Sequence, residues 1–383
     1  MDSVNSFSER PAYDFIIIGQ GLAGTVLTHT LLERGKRVLV IDEGNVSSCS
    51  KVAAGLFNPI VFKRLTKSWM IDELSPVAEN FYGGLEQKLG SRLFSPRELV
   101  KLFTGDNEKQ FWIKKAKEEG LKNYLSGTIE KNNFPEAIKN SAGAGKVKNA
   151  GQVDVKKMLD LSRDFFKEQG ILLEERCSYT DIIVKSDSIV YKNNHAKKII
   201  FCEGYQTTEN PWFNWLPFKL TKGEIITIKL ETAGFNINSL SGSLSSGWLS
   251  ENSVLIKGIF IAPVGDNTYK VGATHNWEEL NETPSEKGRQ ELIRNLDQVL
   301  NVPYKIIAQE AGIRPAVQDR RPLIGFHAEH HNLLVFNGMG TKGVMLAPYF
   351  AAHFAGVLQG KEILSKEVDI LRYWPKSVVG TGN

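Results

Sequence analysis

The sequence predicts an α/β fold of two domains. One is built on a parallel sheet gathered from separated segments; the other, α+β in character, is built on an antiparallel sheet. Three observations predict it. The apolar run Phe15–Ile18 breaks at Gly19-Gln20-Gly21-Leu22-Ala23-Gly24, a helical segment follows to about Arg34, and a second apolar run, Val38–Ile41, ends on Asp42. Strand–helix character then fades by residue 44 and returns only near Val153. Between Lys222 and Thr274 the chain shows β-rich segments joined by turns such as Val264-Gly265-Asp266-Asn267.

The first observation is a βαβ unit with a G-x-G-x-x-G turn, and each part has a physical task. Gly19 permits the tight turn, Gly21 lets a pyrophosphate approach the backbone, and Gly24 lets helix and strand pack closely. The helix start at Leu22 and Ala23 offers backbone N–H groups and a positive dipole end to phosphates. Asp42 is placed to bind the hydroxyl pair of a ribose. The unit therefore predicts a dinucleotide cofactor, and with it redox chemistry.

Composition narrows the class further. At 383 residues, 42% hydrophobic and 23% charged, the chain is an ordinary globular one, and a net charge of +4 falls short of a nucleic-acid-binding footprint. Cys49, Cys177 and Cys202 lack paired or metal-ligand spacing, so a reducing compartment and no metal site are expected. Met1–Pro11 is polar, without the features of a signal peptide, and no apolar run approaches the roughly 18 residues of a spanning helix. The expected location is the cytoplasm.

Along the chain, the small residues of Ser47–Pro59, with Ser50, Ala54 and Gly55 as candidates, suit close backbone approach to a ligand. Apolar spacing predicts a helix over 71–89, a strand over 97–103 and an exposed helix over 107–119. Asn140–Gly151, rich in Gly, Lys and Asn, reads as a linker. Asp154 as N-cap and Gly170 as stop bracket a helix, and short strands follow at 171–174, 181–184 and 189–191. A buried strand, Lys198–Gly204, ends on glycine. Strands are expected at 224–230, 253–261, 267–271 and 305–313, with a helix at 285–300 between the last two. Strand Asn332–Phe336, loop Asn337–Gly343 and a helix to Leu358 complete the pattern.

A nicotinamide enzyme normally continues such a βαβ unit with further repeats, whereas a cofactor domain assembled from distant segments is typical of flavoproteins. Several motifs extend this reading: Val38–Gly44, Ser50–Pro59, Gln152–Val155, Ile199–Gly204, Lys222-Gly223-Glu224 and Val271–Thr274. Ala311-Gly312-Ile313-Arg314-Pro315, then Asp319–Gly325 and Gly338–Pro348, complete the set. In their order and spacing the chain resembles, over nearly its whole length, the D-amino-acid-oxidase-like (DAO) family of FAD-dependent oxidoreductases, of glycine-oxidase and sarcosine-oxidase type. The resemblance implies a Rossmann-like composite FAD domain over 11–60, 150–215 and 304–375, and a substrate domain over 61–149 and 216–303. It also implies that Gly204 closes the third cofactor strand and that the isoalloxazine lies at Gly338–Gly343.

Arg314 ends an apolar strand and precedes a proline, where a charge is costly unless paired. Two readings are open: an ion pair with Asp319 or a nearby glutamate, or a planar clamp on a substrate carboxylate. The resemblance implies the second. Gly338, Gly340, Thr341, Lys342 and Gly343 form a glycine-rich loop ahead of a helix, a nest suited to negative charge at the flavin N1/O2 edge. Weaker candidates are Lys51, Lys257, His275, Tyr205, Trp248 and Trp277. Cys49 does not match the family's attachment sites, so FAD is expected to be non-covalent. The expected reaction oxidises a primary or secondary amine next to a carboxylate, such as a D-amino acid, glycine or sarcosine, to an imine by hydride transfer to flavin N5. Oxygen or a quinone accepts the electrons. The alternatives are a flavin enzyme acting on a carboxymethylaminomethyl tRNA base and a FAD-binding subunit without oxidase activity.

Overall fold

Strand Tyr13–Ile18, helix Leu22–Glu33 and strand Val38–Ile41 form the expected βαβ unit in the computed structural model, which describes residues 12–44, 48–130, 137–139, 142–231 and 252–374. The strands are parallel, with Phe15 opposite Val38 and Ile18 opposite Ile41. Gly19 sits at φ +98°, a conformation that disfavours any side chain. A Cβ on Gly24 would collide with Gly19 O and lie 3.2 Å from Cys202 Cβ, so helix and strand meet at this glycine.

Two compact units divide the chain. The first comprises Met1–Val46, Leu159–Lys219 and Pro315–Asn383, the second Ser47–Met158 and Leu220–Arg314. In the first, Asn194–Phe201 pairs in parallel with both Tyr13–Ile18 and Leu333–Asn337, and Leu172–Leu173 pairs in parallel with Val38–Ile41. The parallel core therefore runs 172–173, 38–41, 13–18, 194–201, 333–337, the arrangement of a Rossmann-like sheet. Val38–Ile41 and Leu333–Asn337 are buried at every position, which is why Val38–Ile41 and Leu333–Phe336 read as unbroken apolar runs. Antiparallel strands 189–191 and 182–184 extend the sheet beside residues 194–196, and 323–326 lies against 333–337. The strand Leu323–Phe326 is absent from the expected set, because Pro322 and Gly325 break its apolar signal.

The second unit holds a nine-stranded sheet ordered 304–314, 221–230, 268–272, 259–265, 253–257, 94–102, 144–153, 56–57, with 125–130 also on 144–153. Its pairs are antiparallel except 253–257 with 94–102. Helix Glu286–Asp297 is capped by Ser285 and buries Leu292 and Leu296 in a core shared with Ile226, Ile228 and Val271. Helix Ile71–Leu89 has the bounds its apolar spacing gives, and the helix expected over 107–119 is Asp106–Ala116, three residues shorter at its end. The stretch expected as one strand over 253–261 is a hairpin turning at Gly258.

The linker expectation is overturned. Ala144–Val153 is a ten-residue strand lying between 94–102 and 56–57. A Cβ on Gly145 would collide with the Trp112 ring, so the glycine is room for an aromatic ring rather than a sign of flexibility. Among the described residues no helix is long and apolar enough to cross a membrane. Among them, too, no group of three or more His, Cys, Asp or Glu side chains could hold a metal ion.

Candidate functional site

The candidate residues fall in both units. In the first, Gly19, Gly21, Leu22, Ala23, Gly24, Asp42, Gly204, Gly338, Gly340, Thr341, Lys342 and Gly343 gather beyond the C-terminal ends of the four parallel strands that precede them. A Cβ on Gly343 would lie 2.7 Å from Leu22 Cδ2, so the starts of helices Leu22–Glu33 and Gly343–Leu358 adjoin. Asn337 ties the other strand ends together. Its Nδ2 donates to Gly204 O and Thr207 Oγ1, each at 2.7 Å, and its Oδ1 accepts from Gly338 N at 2.7 Å. Neither helix start has a side-chain cap or an acid in its first turn. With no acid of their own in the first turn, the positive dipole ends of both helices suit an anion such as the diphosphate of FAD. Lys342 is half-buried, and burial pushes its ammonium down to about 8.

Asp42 has company that the sequence motifs do not announce. Its Oδ1 accepts from Gly44 N and from Arg163 Nη1, both at 2.7 Å, and its Oδ2 accepts from Gln20 N at 2.8 Å. Arg163 also reaches Gln20 Oε1 at 2.9 Å and Glu174 Oε2 at 3.0 Å. One signal could have found it: Arg163 follows the buried Leu159 by four residues on helix Val155–Glu168, at the border of the buried face. Glu203, beside Gly204, accepts from Tyr179 Oη at 2.8 Å and Asn210 Nδ2 at 2.9 Å. Burial nevertheless pushes its carboxyl up to about 7, outweighing those donors.

Ser50, Ala54, Gly55 and Arg314 belong to the second unit. Ser50 lies in the short helix Cys49–Val52, which crosses strand Tyr304–Arg314: a Cβ on Gly312 would be 2.8 Å from Cys49 Cα. Val153 N donates to Gly55 O at 2.8 Å and Gln152 Nε2 to Ala54 O at 3.1 Å, fixing the segment's far end. Arg314 ends its strand with the guanidinium over Gly223, where a Cβ would collide with it. Nη1 donates to Thr274 O at 3.2 Å and lies 3.3 Å from His275 Nδ1. Burial, reinforced by Arg314, holds His275 below the ordinary histidine range, so the ring is neutral at pH 7 and Nδ1 can accept. His275 in turn stacks on Trp277, centroids 6.0 Å apart.

Among the described residues no carboxylate pairs with Arg314. Asp319 is held instead by Arg372, 3.2 Å away, and by Arg321 N at 2.9 Å. Burial lowers the Arg314 pKa, partly offset by the nearby Cys49 thiol. Burial pushes that thiol up to about 11.

The motif Lys222-Gly223-Glu224 explains how Arg314's neutral partners are held. Lys222 and Glu224 are buried 3.6 Å apart. Lys222 Nζ donates to Asn281 Oδ1 and Thr283 O, while Glu224 accepts from Ser285 N, Ser285 Oγ and Gln309 Nε2. Glu224 N donates to Thr274 Oγ1 at 2.9 Å and Thr274 N to Glu224 O at 3.1 Å. Of the weaker candidates, Tyr205 lies half-buried after Gly204, Lys257 reaches Lys139 O at 3.5 Å, and Trp248 lies outside the described residues.

A parallel sheet with two glycine-bordered helix starts and an acid at its strand ends, in a chain whose second sheet ends on a half-buried arginine, is the architecture of a flavoprotein oxidoreductase. The sequence pattern of the FAD dependent oxidoreductase family, DAO, matches residues 14–356, and the chain belongs to that family. It is an enzyme that uses FAD. The chain is 23% identical over 380 residues to glycine oxidase of Bacillus licheniformis, covering 97% of this chain and 99% of that protein. The solved glycine oxidase from Geobacillus kaustophilus matches with a TM-score of 0.74 at 19% identity, covering 92% of this chain and 95% of that one. Similarity at 21% identity over 377 residues, 89% of this chain, extends to the tRNA 5-methylaminomethyl-2-thiouridine biosynthesis bifunctional protein MnmC of Marinobacter nauticus, of which it covers 54%.

Proposed function

We propose that this FAD-dependent oxidoreductase oxidises a primary or secondary amine next to a carboxylate, of D-amino-acid, glycine or sarcosine type, to an imine that water hydrolyses. The observation that carries it is Arg314: a guanidinium that is largely withdrawn from solvent and, among the described residues, bonded to a carbonyl and a neutral imidazole. A guanidinium has five N–H donors, so most remain for a planar, bidentate carboxylate. The neutral His275 orients the guanidinium without neutralising it. FAD, when bound, would supply the two-electron acceptor for the hydride that leaves the substrate carbon. The Gly338–Gly343 loop, with Lys342 still largely cationic at pH 7, stabilises negative charge on the ring edge. No acid–base side chain is required when the amine binds neutral. A Cys49 thiol raised to about 11 stays protonated, which favours non-covalent FAD. Oxygen or a quinone is the acceptor, and the cytoplasm the compartment, in this reading. The similarity to glycine oxidase supports it.

Anaerobic mixing of the holoenzyme with D-amino acids, glycine, sarcosine, proline and an uncharged amine tests the reading. Bleaching of the flavin by carboxylate-bearing amines, and not by the uncharged one, is expected. Bleaching by none, or equally by both kinds, would remove it.

A further inference from the structure

Asp42 is nearly saturated by the protein itself. An ionised carboxylate offers about four lone-pair sites. Gly44 N and Arg163 Nη1 take two on Oδ1, and Gln20 N takes one on Oδ2. One site remains, on Oδ2, whereas a ribose presents two neighbouring hydroxyls. Arg163 is placed for this by a closed set of contacts. Its Nη1 bridges Gln20 Oε1 and Asp42 Oδ1, and its Nη2 bridges Asp42 O and Glu174 Oε2. Gln20 Nε2 then donates at 2.8 Å to Leu159 O, one turn before Arg163 on the same helix. The Arg163 and Asp42 side chains are only 13% and 21% exposed, so salt screens the pair weakly.

We propose that Arg163 is a cofactor-positioning residue: it locks the Asp42 carboxylate so that Oδ2 alone takes one adenosine-ribose hydroxyl, and FAD affinity depends on Arg163 through Asp42. The proposal rests on Asp42 being the ribose acid. Without the guanidinium, the carboxylate gains rotational freedom and a second open site, and loses the fixed direction in which Oδ2 points. Gln20, which meets Asp42 through its backbone and Arg163 through its side chain, loses one of its two side-chain hydrogen bonds at the same time.

The test is a double-mutant cycle read as the Kd for FAD, measured by flavin fluorescence quenching on the full-length protein after the cofactor is stripped. Asp42→Asn and Arg163→Met are each expected to raise Kd about tenfold or more, as for loss of a hydrogen bond to a charged group. In the double variant Kd is expected to rise no further than in Asp42→Asn alone. Arg163→Lys keeps the charge but not the bridging geometry, and its Kd is expected between wild type and Arg163→Met. Asp42→Asn leaving Kd unchanged would show that Asp42 is not the ribose acid, and the proposal goes with that reading. Asp42→Asn weakening binding, while Arg163→Met has the same factor in both backgrounds, would leave the ribose acid standing and overturn the role of Arg163. Should Arg163→Met not fold, Arg163→Lys replaces it in the cycle: a factor lost in the Asp42→Asn background supports the role, and an equal factor in both backgrounds overturns it.

Discussion

Asp42 and Arg314, one in either unit, each lie at the C-terminal end of a strand, and the protein treats their charges in opposite ways. Asp42 is met by a guanidinium and two backbone N–H groups. Arg314 is met by a carbonyl oxygen and a neutral histidine. A carboxylate already answered by an opposite charge serves by pointing in a fixed direction. A guanidinium answered only by neutral acceptors keeps most of its Coulombic capacity for a ligand of opposite sign. The first unit holds its charge rigid; the second keeps attraction in reserve.

The largest expected effect follows from that reserve. Arg314→Ala is expected to raise KM for a carboxylate-bearing amine by about a hundredfold or more, since removing one partner of a desolvated charge pair costs about 2–5 kcal/mol. For an uncharged amine the change is expected to stay within about threefold. Steady-state kinetics on both substrates decides it: a common factor would show that Arg314 only supports the fold.

An intermediate effect lies in the first unit, at Glu203, a half-buried acid whose donors among the described residues, Tyr179 and Asn210, are neutral. Its folded pKa of about 7 lies above the ordinary 4.5, so its contribution to stability is complete below about pH 4.5 and is lost as pH rises toward 7. Wild type is therefore expected to lose stability relative to Glu203→Gln across that window, by up to about 1.4 kcal/mol per pH unit, and then to level off. Thermal unfolding of both proteins between pH 4.5 and 8 measures this; parallel curves would mean that Glu203 titrates normally.

The smallest effect belongs to Asp319, whose side chain is 35% exposed and paired with Arg372. Asp319→Asn is expected to lower stability by less than about 1 kcal/mol and to leave KM for carboxylate substrates unchanged. A KM change like that of Arg314→Ala would make Asp319 the counter-ion of Arg314.

Strands buried on both faces were legible because nothing interrupts their apolar runs: Val38–Ile41 and Leu333–Phe336 are the clear cases. The glycine turn was legible for a related reason, since Gly19 and Gly24 are required by backbone angle and close approach, both local properties. Ala144–Val153 was hidden because its glycines make room for Trp112 and Phe94, rings from elsewhere in the chain. Arg163 was hidden for the opposite reason, as a charge on an amphipathic helix resembles a solvated one until its partners are located. Arg314 could be singled out from its neighbours, but which groups hold it depends on the Lys222–Glu224 scaffold, where residues far apart in sequence meet.

The parallel core also has a consequence in time. Strand Asn194–Phe201 joins Tyr13–Ile18 on one side and Leu333–Asn337 on the other, and these two partners are about three hundred residues apart. Leu333–Asn337 is made about 130 residues after Asn194–Phe201, so at roughly 5–20 residues per second a ribosome takes about seven to twenty-six seconds to deliver it after that strand. During that interval the apolar edge of Ile199–Phe201 has no lasting partner. Until then the unpaired edge is a surface on which newborn chains can pair with one another, and the sheet that binds the cofactor is incomplete.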